Sequence, residues 1–141
     1  MKIDTALLDE VIAIAEEAGQ AIMSIYARDF SIEEKADKSP LTEADQAAHD
    51  LISDRLAPLL GGVPILSEED VDGFAGPDAD GRYWLVDPLD GTKEFIKKNG
   101  EFTVNIALIE LGRPRLGVVH APDLGRTYMG WPGEGAWRTD D

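Results

Sequence analysis

Two acidic segments carry the chemistry that this chain can do. In "YWLVDPLDGTKEF" (Tyr83–Phe95), an apolar and aromatic run ends in Asp87 and Asp90, followed at once by Gly91 and Thr92. In "VPILSEED" a shorter apolar run ends in Glu68 and Glu69. Runs of this composition predict strands, and strand ends deliver side chains to one rim of a sheet, where sites form. If the two strands are neighbours, three or four carboxylates converge. Such a group is mutually repulsive, and costly without a cation among it. Oxygen-only donors suit Mg²⁺ or Mn²⁺ rather than zinc or copper.

The rest of the longer stretch fits the same chemistry. Pro88 fixes the backbone between the two aspartates, so that both can turn toward one point and the Leu89 carbonyl can join them. Gly91 allows a ligand close to the backbone. The amides of Gly91 and Thr92 open a short helix and suit a phosphate, and the Thr92 hydroxyl can orient a water. Metal donors beside a phosphate cradle point to phosphoryl transfer to water. Each residue also has a plainer reading. Asp87-Pro88 can open a turn and Asp90 can cap the next helix. Glu68 and Glu69 read as solvated acids when taken alone, and Asp45 as a helix cap. His49 and His120 read as surface or core histidines, and Trp84, Trp131 and Trp137 as packing. Lys93, Lys97 and Lys98 read as surface charges, although they sit near the anion site.

The elements that must position these residues follow from periodicity. Leu7, Leu8, Val11, Ile14, Ala15, Ala18, Ile22 and Ile25 predict an amphipathic helix over Ile3–Ala27. Thr42 followed by Asp45 resembles a capping box and predicts a second helix from about Glu43 to Leu59, with Ala48, Leu51, Ile52, Leu56 and Leu59 as its buried stripe. Between them Phe30–Asp45 starts as a short alternating piece and becomes loop-like. Strands are expected at "PILS", at Tyr83–Val86, at Phe102–Leu111, at Arg115–Ala121 after a turn at "GRP", at Arg126–Trp131 and at Gly135–Arg138. Two helices followed by mostly antiparallel strands make the class α+β.

Composition sets limits. The 141 residues are one domain by length. No apolar run approaches the roughly 18 residues of a membrane span. No cysteine is present, which removes disulfide frameworks and thiolate metal sites and fits a reducing cytoplasm. The formal charge of −15 argues against nucleic-acid binding, which needs Lys and Arg to displace counterions. It would also repel an anionic substrate unless a bound cation inverted the local sign.

Three segments together, "LTEADQAA" (Leu41–Ala48), "PILSEED" (Pro64–Asp70) and "WLVDPLDGTKEF" (Trp84–Phe95), resemble the lithium-sensitive, magnesium-dependent phosphomonoesterase family that includes inositol monophosphatase. Within it, "DGTKEFIKKNGEFTVNIALI" is similar to the CysQ-type 3′(2′),5′-bisphosphate nucleotidase branch, whose members remove the 3′-phosphate of adenosine 3′,5′-bisphosphate in sulfur assimilation. The resemblance implies a layered αβαβα sandwich, of which this chain matches the N-terminal half. It implies two or three Mg²⁺ ions, with Mn²⁺ as a substitute. Glu68 would bind metal, Asp87 would bridge two ions, and the Leu89 carbonyl and Asp90 would each hold one. Glu69 would be a more distant or weak ligand. Gly91 and Thr92 would grip the phosphate through their amides, while Thr92 and Asp45 help activate the attacking water.

The resemblance also implies a phosphorylated nucleotide as substrate and a cytoplasmic protein, at most peripheral to the inner membrane. The family's later half carries a W-D-x-A-type motif whose aspartate completes the metal site, and no such motif follows Arg138. The expectation is therefore a chain with little activity alone and an apolar sheet surface left open to self-association. A phosphatase of inositol or sugar phosphates, or a non-catalytic metal-binding fragment, are the competing readings.

Overall fold

Asp4 begins the first helix, α1 (Thr5–Tyr26), by accepting from the Leu7 amide at 3.0 Å. All eight apolar positions of the predicted stripe are buried. The computed structural model describes residues 3–28, 30, 32–34, 40–131 and 135–140. A small hairpin, β1 (Ile32–Glu34) with β2 (Pro40–Thr42), leads into α2 (Glu43–Leu56). The middle of the expected loop, 35–39, lies outside the described residues. The second helix stops earlier than expected, at Leu56. Ala57 caps it, Pro58 brings no amide to continue the ladder, and Leu59 falls in a short 3₁₀ turn.

Six strands follow: β3 (Ile65–Ser67), β4 (Arg82–Asp90), β5 (Thr103–Glu110), β6 (Arg113–Ala121), β7 (Arg126–Trp131) and β8 (Gly135–Asp140). They form one sheet in sequence order. β3 and β4 are parallel and every other pair is antiparallel. A five-residue helix, α3 (Thr92–Ile96), sits between β4 and β5. The turn before β6 is Leu111-Gly112 rather than "GRP". Both residues have positive φ, which matches the twist of a two-residue hairpin. Arg113 and Pro114 already belong to β6. Pro114 lies at a register shift, and β7 pairs with β6 only from Gly117 onward, so its missing amide breaks no ladder there.

Both long helices lie on one face of the sheet, α1 over β5 and β6 and α2 over β3 and β4. Trp84, Val86, Val104, Ile106, Leu108, Leu116 and Val118 meet them in one core. The opposite face leaves Leu85, Val119 and Tyr128 substantially exposed. Trp84 packs as predicted. Trp137, on the edge strand β8, does not, being 49% exposed. No helix among the described residues is long and apolar enough to cross a membrane.

His120 is a core residue. It is buried, with Nδ1 2.9 Å from Thr127 Oγ1. Its ring lies against α1 where Gly19 stands, and a methyl group there would come within 2.6 Å of the imidazole. Gly19 thus sets how closely α1 can lie on β6. Replacing it by alanine should destabilise the fold by about 1–3 kcal/mol through overpacking, despite alanine's better helix propensity. Gly117→Ala, with nothing within 4 Å of the added carbon, should be neutral or stabilising. Urea denaturation of the two variants checks this, and equal midpoints would contradict it.

Candidate active site

The two acid-bearing strands are neighbours and run in the same direction. Ser67 pairs with Val86, and the Glu68 amide donates to the Val86 carbonyl at 3.1 Å. Glu68 and Asp87 therefore emerge at one rim of the sheet. Both line a recess of about 290 Å³ that also includes Asn105.

The strand expected to end at Val86 continues through "DPLD" to Asp90. In a regular strand, residues three apart face opposite sides. Here Asp87 pairs with Asn105 and Asp90 with Thr103, so β4 spends one residue more than β5 over the same interval. This bulge returns Asp90 to the face of Asp87. Pro88 suits such a position, because it has no amide to pair. Pro88 and Leu89 are both buried, which breaks the in-out alternation as the bulge requires. The spacing of the two aspartates is thus a consequence of backbone geometry, in which proline takes part but does not act alone.

The DGT turn is held from below. Gly91 starts α3 at φ 95°, and a Cβ there would lie 2.8 Å from the Glu101 carbonyl oxygen. Only glycine meets both conditions without strain. Glycine also brings no side-chain acceptor to the first turn, which leaves the α3 amides without a side-chain cap. Phe95 anchors the helix from the other side. It is fully buried, with ring centroids 5.3 Å from Phe102, 5.2 Å from Tyr26 and 4.8 Å from Phe30. Lys93, Lys97 and Lys98 are exposed, and the Lys98 ammonium reaches the Tyr26 carbonyl oxygen and lies 4.7 Å from the Tyr26 ring.

Asp45 is fully buried at the start of α2. Its Oδ2 accepts from the Thr42 amide at 2.9 Å and from the Thr42 hydroxyl at 2.6 Å, completing the capping box. Its Oδ1 accepts from the Thr92 hydroxyl at 2.8 Å. Thr92 Oγ1 also lies 3.4 Å from the Leu89 carbonyl oxygen. The cap reading and the catalytic reading of Asp45 are therefore compatible, because each uses a different oxygen.

Not every expected contact forms. Asp90 is exposed, and its Oδ2 accepts from the Asn105 side-chain amide at 3.2 Å. Among the described residues, no group of three His, Cys, Asp or Glu side chains could hold a metal ion. Of the three or four carboxylates expected to converge, Glu68 and Asp87 line the recess and Asp90 turns to Asn105. The donor set still suits a hard dication, being all oxygen and placed at a recess open to water. Asn105 is the residue that sequence reading passed over. It faces Asp87 across the ladder, donates to Asp90, and accepts from Thr103 Oγ1 at 3.1 Å. A polar residue at the open-face position opposite Asp87 was the available signal.

Comparison with known proteins gives the family and the fold. The chain is 53% identical over 136 residues to the 3′(2′),5′-bisphosphate nucleotidase CysQ of Escherichia coli K12, an alignment covering 95% of this chain and 55% of that protein. The crystal structure of CysQ from Bacteroides thetaiotaomicron superposes with a TM-score of 0.77 at 42% identity, over 96% of this chain and 49% of that one. An IMPase from Thermotoga maritima superposes with a TM-score of 0.84 at 32% identity, over 96% and 52%. The chain spans about half the length of the curated relatives that it matches. The family model described as the inositol monophosphatase family covers residues 4–141. With the acid-bearing strand ends, the bulged DPLD segment and the DGT helix start all within that span, the chain belongs to the inositol monophosphatase family.

Proposed function

We propose that this chain carries the cation- and phosphate-binding rim of a phosphomonoesterase acting on the 3′-phosphate of adenosine 3′,5′-bisphosphate. The observation that carries the reading is the 2.8 Å hydrogen bond from Thr92 to Asp45, made beside the strand ends that bear Glu68 and Asp87. Glu68 and Asp87 would hold Mg²⁺, or Mn²⁺ in its place, with the Leu89 carbonyl and Asp90 as further oxygen donors. A bound dication would supply Lewis-acid polarisation and would let an anion approach a chain of net charge −15.

The chain's own residues do the remaining work. The Thr92 hydroxyl has one proton, and Asp45 Oδ1 holds it. The lone pairs of Thr92 Oγ1 then accept from a water and fix its direction. As that water loses a proton to Oγ1, the Thr92 proton can pass to Asp45. The amides of Gly91 and Thr92 would hold the phosphate at the uncapped start of α3. Two-metal phosphoryl transfer clamps both the attacking and the leaving oxygen, and two carboxylates at the recess are a sparse donor set for that task. Turnover draws on donors beyond those gathered here, and the 141 residues alone should be close to inactive.

The nucleotide reading is supported by the segment from Thr92 to Leu108 and by the identity to CysQ. A phosphatase of inositol or sugar phosphates is the alternative, supported only by membership of the inositol monophosphatase family.

Two outcomes check the proposal. Titration of Mn²⁺ into the 141-residue chain should give saturable binding, weakened about tenfold or more in Asp87→Asn, since that change removes one of two facing charges. Equal affinity would remove Asp87 from the site. Joining the chain to the remaining half of the E. coli relative should give an enzyme that releases phosphate faster from adenosine 3′,5′-bisphosphate than from inositol 1-phosphate. The reverse preference would favour the alternative substrate. A chimera inactive on both would favour a non-catalytic metal-binding protein.

A further inference from the structure

α2 reaches the site twice. Its first turn carries Asp45, which holds Thr92. One turn later it carries His49, whose Nδ1 lies 2.8 Å from Ser67 Oγ. Ser67 is the last residue of β3, it is 1% exposed, and it immediately precedes Glu68 and Glu69. Its hydroxyl oxygen also accepts from the Glu69 amide at 3.3 Å, and its carbonyl accepts from the Asp70 amide at 3.0 Å. The backbone of the SEED segment thus folds around one buried hydroxyl.

We propose that His49, acting through Ser67, is a positioning residue that fixes the Glu68–Glu69 strand end relative to Asp45 and Thr92. A buried hydroxyl without partners is costly, so Ser67 must be satisfied, and α2 supplies the partner. A hydroxyl both donates and accepts, so Ser67 can bond to Nδ1 whether that nitrogen carries a proton or not. The tie does not depend on the charge of the imidazole. Its effect is geometric. Glu68 is exposed and β3 is an edge strand only three residues long, so the tie to α2 adds a restraint from a second element to the Glu68 amide bond with the Val86 carbonyl. With this tie, both strand ends that bear acids are referred to one rigid helix. Groups that orient metal ligands in this indirect way commonly matter as much as a ligand's own placement.

The proposal rests on reading Glu68 as a cation ligand, so its test has one arm with metal and one without. In the 141-residue chain, His49→Ala and Ser67→Ala should each raise the half-saturating Mn²⁺ concentration by about tenfold, the low end of what losing such supporting contacts costs. His49→Asn places an amide near the Nδ1 position and should restore affinity to within about threefold of wild type. The double variant His49→Ala/Ser67→Ala should be no worse than Ser67→Ala alone, because that change already removes the tie to His49. Amide hydrogen exchange at Glu69, measured without metal, should speed up about tenfold or more in His49→Ala and stay near wild type in His49→Asn. Unchanged Glu69 exchange in a folded His49→Ala, or an Asn variant as impaired as the Ala variant, would overturn the proposal. Absence of Mn²⁺ binding by wild type would overturn the ligand reading of Glu68, while the exchange arm would still decide whether His49 holds the strand end.

Discussion

Asp45 accepts from Thr42 through one carboxylate oxygen and from Thr92 through the other, and the arrangement of the rim depends on that division. A fully buried carboxylate is costly unless its lone pairs are used. Here the donors come from two segments that the chain brings together from far apart. Thr42 belongs to the entry of α2, and its hydroxyl also accepts from the Ala44 and Asp45 amides, so its own hydrogen-bonding capacity is filled. Thr92 belongs to the entry of α3. The start of α3 is therefore referred to the start of α2, while Phe95 anchors α3 in the core against Tyr26, Phe30 and Phe102. A hydroxyl held in this way has a fixed direction, which is what orienting a nucleophile requires.

The sheet supplies the second constraint. Parallel pairing of β3 with β4 brings Glu68 and Asp87 to the same rim, which no antiparallel pairing of those two strands would do. One extra residue in β4 then turns Asp90 to the face of Asp87. Hydrogen bonding to Asn105 holds Asp90 there. These are properties of backbone register, and side-chain identity enters only in making the register affordable: proline where no amide is wanted, glycine where φ is positive and the Glu101 carbonyl is close.

Much of this was legible in the sequence. The period of α1 identified its buried face residue by residue, because a long amphipathic helix packed on a sheet leaves little freedom for its stripe. The Thr42–Asp45 cap was readable for the same local reason. Other features were not local. The continuation of β4 to Asp90 was missed because Asp-Pro suggests a turn, whereas pairing with β5 carries the strand through it. The joint use of Asp45 and Thr92 was reached through the family resemblance and not through the local pattern, because the two lie 47 positions apart. Asn105 and Ser67 lie inside quoted segments without being assigned a role, and His49 was read as a surface or core histidine, because each acquires its meaning only from the partner that tertiary structure places opposite it.

The central claim, that a direct Thr92–Asp45 interaction ties the start of α3 to the start of α2, is most directly tested by a double-mutant cycle on stability. Asp45→Ala, Thr92→Val and the double variant would be compared with wild type by chemical denaturation of the 141-residue chain. Asp45→Ala also removes the Asp45 half of the capping box, and the cycle subtracts that loss. A coupling energy of about 1 kcal/mol or more between the two positions is the result the account predicts. Strictly additive effects would contradict it.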